Sequence, residues 1–142
     1  MSRRVEFYLV DIFIAADKIA RYTSKFENPK SFLHSELEWD ATIRELEVIG
    51  EATNRLLQQK FLGPEHRVIV DFRNQIAHGY FGVDEEIVWE VATVHLDEYL
   101  QSLEELISAG RIDLHEAVEC AKKDHYYSEA TLQLLNRLSA EN

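Results

Sequence analysis

Val5-Glu6-Phe7-Tyr8-Leu9-Val10-Asp11-Ile12-Phe13-Ile14-Ala15-Ala16-Asp17-Lys18-Ile19-Ala20-Arg21-Tyr22-Thr23 decides the fold class. Val5, Leu9, Ile12, Ala16, Ile19, Ala20 and Thr23 recur at spacings of three and four, the period of an amphipathic helix and not of a strand. The pattern predicts a helix over 3–25. Asn28-Pro29-Lys30-Ser31 breaks it, and Ser31 is the expected N-cap of the next helix. That second helix is expected over 32–60, with Leu37, Ile43, Leu46, Ile49, Ala52, Leu56 and Leu57 on its apolar side and Gly63-Pro64 ending it. Pro64 suits the first turn of the third helix.

Arg67 to His78 forms that third helix, with Val68, Ile69, Phe72 and Ile76 as its expected buried stripe. Gly79-Tyr80-Phe81-Gly82 reads as a loop, because two glycines bracket two aromatics. Asp84 caps a fourth helix whose first-turn acids suit the helix dipole. That helix carries Ile87, Val88, Val91, Val94, Leu103 and Leu106 and stops at Gly110. Two shorter helices are expected in the tail, over 113–123 and 128–139, with Ser128 capping the last. The expected architecture is therefore all-α: an up-and-down four-helix bundle over 1–110, with 111–142 as a short C-terminal helical tail of the same domain.

Composition narrows the class further. The 142 residues include 5 Gly and 2 Pro, too little turn chemistry for a many-stranded sandwich or barrel. The single Cys120 cannot form an internal disulfide, so a cytoplasmic home is expected. Glu6, Asp11 and Asp17 interrupt the first apolar stretch, which argues against a signal peptide. No run approaches the roughly 18 apolar residues of a membrane span. The net charge of −11 is uneven. Residues 81–110 hold eight carboxylates and no Lys or Arg, whereas residues 1–30 hold six basic side chains against four acidic ones. An acidic total can therefore coexist with a local phosphate site.

Chemistry-bearing residues concentrate in Asp71-Phe72-Arg73-Asn74-Gln75-Ile76-Ala77-His78-Gly79-Tyr80. On a straight helix Arg73 and His78 stand about 140° apart, so one face cannot present both unless the helix ends near His78 or a second chain completes the site. Glu47 and Glu51, four apart, share a face that Arg44 can join; an ordinary exposed row of charges is the equal alternative. A built-in metal is not expected. No His has a Glu three residues before it, and there is no His-x3-His or Cys-x2-Cys. Cys120 is read as a small apolar residue, and Trp39 and Trp89 as packing residues.

Arg73, four residues, His78, one residue and Tyr80 resemble the Arg-x4-His-x-Tyr signature of HEPN-domain ribonuclease toxins of the HepT type. Ile43-Arg44-Glu45-Leu46-Glu47-Val48-Ile49-Gly50-Glu51-Ala52 is similar to that family's second-helix segment. His78-Gly79-Tyr80-Phe81-Gly82-Val83-Asp84, followed by Ile87-Val88-Trp89, is similar to its loop and fourth-helix start. The similarity covers residues 5–108; the tail has no place in the family pattern.

The resemblance implies a HEPN-type bundle and a metal-independent endoribonuclease that needs no cofactor. In that reading the RNA 2′-OH attacks the adjacent phosphorus. His78 moves protons, Arg73 binds the scissile phosphate, Asn74 holds the phosphate or orients His78, and Tyr80 contacts phosphate or stacks a base. Arg44 and Glu51 are supporting residues. The family also implies a homodimer with two motifs lining one cleft. Its expected partner is an MNT-type nucleotidyltransferase antitoxin that transfers AMP from ATP to Tyr80, as in type VII-like toxin–antitoxin systems. The alternative is a non-catalytic nucleotide-binding or interaction subunit of a nucleotidyltransferase complex.

Overall fold

The computed structural model describes residues 3–78, 84–124 and 128–140, and every described element is helical. The chain runs through α1 (Val5–Thr23), α2 (Pro29–Leu33), α3 (Glu36–Gln58), a 3-10 turn (Pro64–His66) and α4 (Arg67–Ala77). It continues through α5 (Glu85–Glu90), a π-helical segment (Val91–His95), α6 (Leu96–Gly110), α7 (His115–Asp124) and α8 (Glu129–Ala140). This is the expected all-α bundle of HEPN type. Its rods are α1, α3, α4 and the continuous α5–π–α6 unit.

α1 is the centre of the molecule. Leu9, Val10, Ile12, Phe13, Ile14, Ala15, Ala16 and Ile19 are all buried, which is far more than one stripe. The tail explains the difference. Leu114 just before α7, Ala117 and Val118 within it, and Leu134, Leu135 and Leu138 from α8 belong to the same hydrophobic core. Polar ties reinforce that packing: Arg21 Nη2 donates to Thr131 Oγ1 at 2.9 Å, and Arg137 lies 3.8 Å from Asp17. Each fully buried aliphatic side chain contributes about 1.5–3 kcal/mol relative to exposure. Ala20, expected on the apolar side, is exposed.

The expected second helix is two helices. Asn28, not Ser31, caps the first: its Oδ1 accepts the Ser31 N–H at 2.9 Å, and Pro29 takes the first helical position. Ser31 lies inside α2. The short α2 buries Phe32, whose ring meets Phe26, Trp39 and Trp89 at centroid distances of 5.3–5.6 Å. Both tryptophans are thus packing residues, as read from the sequence. Leu37 is not part of the apolar side; it is 77% exposed.

α3 ends before Gly63. Lys60 takes a left-handed conformation (φ 62°), with Phe61 N–H donating to the Leu56 carbonyl and Lys60 N–H to that of Leu57. These are the paired bonds of a Schellman terminus with a lysine where glycine is usual. α6 ends the same way: Arg111 is left-handed (φ 52°), and Gly110 is the last helical residue. Asp84 Oδ1 accepts the Glu86 N–H, and Ser128 Oγ accepts that of Thr131, so both of those caps match the sequence reading.

Two expected stripes shift. In α4 Ile76 is buried and Ile69 and Phe72 pack against the core as expected, but Val70 takes the place of Val68, which is 67% exposed. Along α5–π–α6 the buried row is Val88, Ala92, Leu96, Tyr99, Leu103 and Ile107; Ile87, Val94 and Leu106 face outward. Residues 88, 92, 96, 99, 103 and 107 recur at four, four, three, four and four, so one inward row runs through the π segment into α6. Within this row the Tyr99 hydroxyl pairs with Thr53 Oγ1 on α3 at 2.8 Å. Burial pushes the pKa of that hydroxyl up to about 12, against a smaller opposing effect of the bond.

Candidate functional site

The site starts from a glycine. Gly50 is buried on α3, and a Cβ placed there would fall 2.2 Å from Arg73 Cβ and 2.4 Å from Arg73 Cγ. No side chain at residue 50 is compatible with that approach. Gly50 therefore lets the stem of Arg73, on α4, lie directly on the α3 backbone. This is the physical content of the Ile49-Gly50-Glu51-Ala52 segment.

The guanidinium of Arg73 is held on two sides. Nη1 donates to Asn74 Oδ1 at 3.0 Å, and Nη2 lies 3.7 Å from Glu51 Oε2. Nε is buried with no acceptor among the described residues. A buried N–H donor left unmatched is costly. An incoming anion would relieve that cost.

Arg73 opens into a groove of about 330 Å³. Arg44, Glu47, Glu51 and Arg55 line it from α3, Tyr8 and Asp11 from α1, and Arg3 from just before α1. Glu51 stands between two guanidinium groups, 3.5 Å from Arg55 and 3.7 Å from Arg73. Arg3 closes onto Asp11 at 2.8 Å, and its guanidinium carbon lies 5.2 Å from the Tyr8 ring centroid. Gln59 Nε2, just past α3, donates to the Arg3 carbonyl at 2.8 Å and so anchors the arm.

The structure thus gathers Arg44, Glu51, Arg73 and Asn74. Glu47 lines the groove as well, which favours the cleft over an ordinary exposed row. His78 stands elsewhere. α4 ends at Ala77, and His78 is its exposed C-cap, its N–H donating to the Asn74 carbonyl at 3.1 Å. It is not among the groove-lining residues of this chain. Tyr80 and the loop reading of Gly79-Tyr80-Phe81-Gly82 lie outside the described residues.

Sequence reasoning does not single out Arg3, Tyr8 or Arg55. Arg55 carries a signal: Arg44, Val48, Glu51 and Arg55 are spaced four, three and four, which puts them on one helix face. Arg3 carries none, since only the docking of α1 on α3 brings it there.

Comparison with known proteins supplies the family. The HepT-like ribonuclease family matches residues 12–106, which include Arg44, Gly50, Glu51, Arg73, Asn74 and His78. A Methanocaldococcus jannaschii protein with a provisional name as an RNase is 31% identical over 109 residues, covering 75% of this chain and 89% of that protein. A Thermococcus cleftensis protein named "Probable ribonuclease HepT" is 37% identical over 95 residues, 63% of this chain and 84% of that one. A third relative, from M. jannaschii, is named as a gamma-glutamylcyclotransferase with a provisional RNase assignment; it is 30% identical over 147 residues, spanning 97% of this chain and 64% of its own length. That likeness extends into the tail. No solved structure gives a significant match. A helical bundle whose glycine seats an arginine five residues ahead of a helix-capping histidine, matched over this span by such relatives, belongs to the HepT-like ribonuclease family.

Proposed function

We propose that the protein is a metal-independent endoribonuclease acting as the toxin of a HEPN/MNT-type toxin–antitoxin pair in the cytoplasm. The observation that carries this is Arg73: a guanidinium seated against Gly50 with its Nε buried and unmatched, five residues before His78 at the helix end.

In this reading Arg73 binds the scissile phosphate through forked donors and stabilises the charge that builds up on its oxygens. His78 takes the 2′-OH proton as the oxygen attacks phosphorus. The P–O5′ bond breaks, and the departing 5′ oxygen receives a proton from an imidazolium. The products are a 2′,3′-cyclic phosphate and a 5′-OH. No step needs a redox partner or a cofactor. Asn74 and Glu51 position the Arg73 guanidinium. Two protomers pair so that a second motif completes the cleft, which meets the separation of Arg73 from His78 along α4. Tyr80 contacts the substrate and is the acceptor of AMP from a nucleotidyltransferase antitoxin. The added phosphodiester charge would occupy the Arg73 site and repel RNA.

The test is RNA cleavage in EDTA by wild type, His78→Ala and Arg73→Ala, with folding checked by circular dichroism. Loss of about 10²–10⁴-fold is expected for His78→Ala. Full cleavage by a folded His78→Ala protein overturns the catalytic assignment. Intact mass after coexpression with the antitoxin tests the switch: AMP increments are expected in wild type and not in Tyr80→Phe.

A further inference from the structure

The groove beside Arg73 holds more guanidinium than chemistry at a single phosphate uses. Four of the chain's nine arginines line it, and no lysine does. Arginine is the residue that matches phosphate oxygens with a planar fork, whereas lysine offers a point charge. In a protein of net charge −11, such a local gathering runs against the overall field.

The four arginines are not equally committed. Arg3 is closed onto Asp11 at 2.8 Å, the length of a charge-assisted hydrogen bond. Arg55 reaches Glu51 only at 3.5 Å and shares that carboxylate with Arg73. Arg44 is exposed, and no carboxylate engages it among the described residues. The groove's carboxylates do not make it a cation site: Asp11 and Glu51 are already paired with arginines, and Glu47 alone faces an excess of positive charge. A volume of about 330 Å³ is in the range of sites that take small-molecule units.

We propose that Arg44 and Arg55, on either side of the Arg73 seat at Gly50 along α3, form an extended phosphate subsite that holds the RNA phosphates flanking the scissile one and sets the strand's register against Arg73. The inference rests on the ribonuclease reading and extends it along the substrate. Arg73 acts on the reacting phosphate. Arg44 and Arg55 bind its neighbours, one on each side, and contribute to affinity rather than to the chemical step. Arg44, Val48, Glu51 and Arg55 lie along one face of α3, so the subsite is rigid and built on a helix that also carries Gly50.

The test uses the full chain with His78→Ala, so that an RNA single strand binds without being cut. Affinity is measured against salt concentration. Arg44→Ala and Arg55→Ala are each expected to weaken binding by about tenfold. Each should also lower the slope of log affinity against log salt by about 0.7. In cleavage-competent protein the same variants should raise KM and leave kcat in place. Arg67→Ala, which removes a partner of Asp71 on the exposed side of α4, should change neither. Arg44→Lys should keep the slope while losing affinity, separating charge from fork geometry. If wild type cleaves RNA and both alanine variants keep slope and KM, the subsite is overturned and the ribonuclease reading stands. If RNA binds with an arginine-dependent slope but is never cut, the subsite stands and the catalytic assignment falls. If the protein binds no RNA, both fall.

Discussion

Arg3 and Arg4 are neighbours in the chain and enter different clefts. Arg3 joins the groove beside Arg73. Arg4 lines a larger cleft of about 430 Å³ with Glu6, Arg111, Asp113 and Glu116. There Arg4 is closed onto Glu116 of α7 at 2.8 Å, and that hydrogen bond leads the effects that raise the guanidinium above its ordinary range. The buried polar atom without a hydrogen-bond partner is Glu6 Oε2, a carboxylate oxygen. In the smaller groove the unmatched atom is Arg73 Nε, a donor. Two arginines face three carboxylates in the larger cleft, and four face three in the smaller one. Size does not mark the proposed anion site. The sign of the unmatched atom and the balance of partners do.

The glycines of the two clefts give the largest test. Gly50→Ala puts a methyl group within 2.4 Å of both Arg73 Cβ and Cγ, where only a shift of α3 against α4 can relieve it. Overpacking of this kind costs about 1–3 kcal/mol of stability. Displacing a reacting group by about 1 Å can cost 10²-fold in rate. Urea midpoints and RNA cleavage should both fall; a Gly50→Ala protein with full activity would show that Arg73 need not be seated. A smaller effect separates the arginines. Arg4→Ala should leave RNA affinity and its salt slope unchanged, whereas Arg44→Ala should lower both. Equal losses would mean that RNA responds to net charge and not to the groove. The smallest effect has the opposite sign. Gly110→Ala meets Ile112 Cγ1 at 3.4 Å, an ordinary contact, at the end of α6. Replacing a helical glycine by alanine should stabilise the fold by about 0.5–1 kcal/mol with cleavage intact. Denaturant titration checks it.

Periodicity makes the helices legible, because a stripe at three and four has one regular solution. It is weaker on which residues the stripe buries. Leu37 and Val68 fit an apolar face by spacing and are exposed, since neither is covered by a neighbouring helix. Ile87, Val94 and Leu106 fit an inward row by spacing and face outward, beside the row of Val88, Ala92, Leu96, Tyr99, Leu103 and Ile107 that meets the core. Helix termini are similarly opaque: the left-handed positions fall on Lys60 and Arg111, where glycine is the expected signal.

The sequence by itself determined the helical class, the order of the rods, the caps at Asp84 and Ser128, and the nearness in the chain of Arg73, Asn74 and His78. These follow from local spacing and side-chain chemistry. Only the tertiary structure decided that α1 is buried on nearly all sides, because the tail's leucines arrive from more than a hundred residues away. Only it explained Gly50, whose missing side chain has meaning solely through an arginine on another helix. And only it joined Arg3, Arg44, Arg55 and Arg73 in one groove. A one-dimensional pattern can place a residue on a face, but which faces meet is settled by packing.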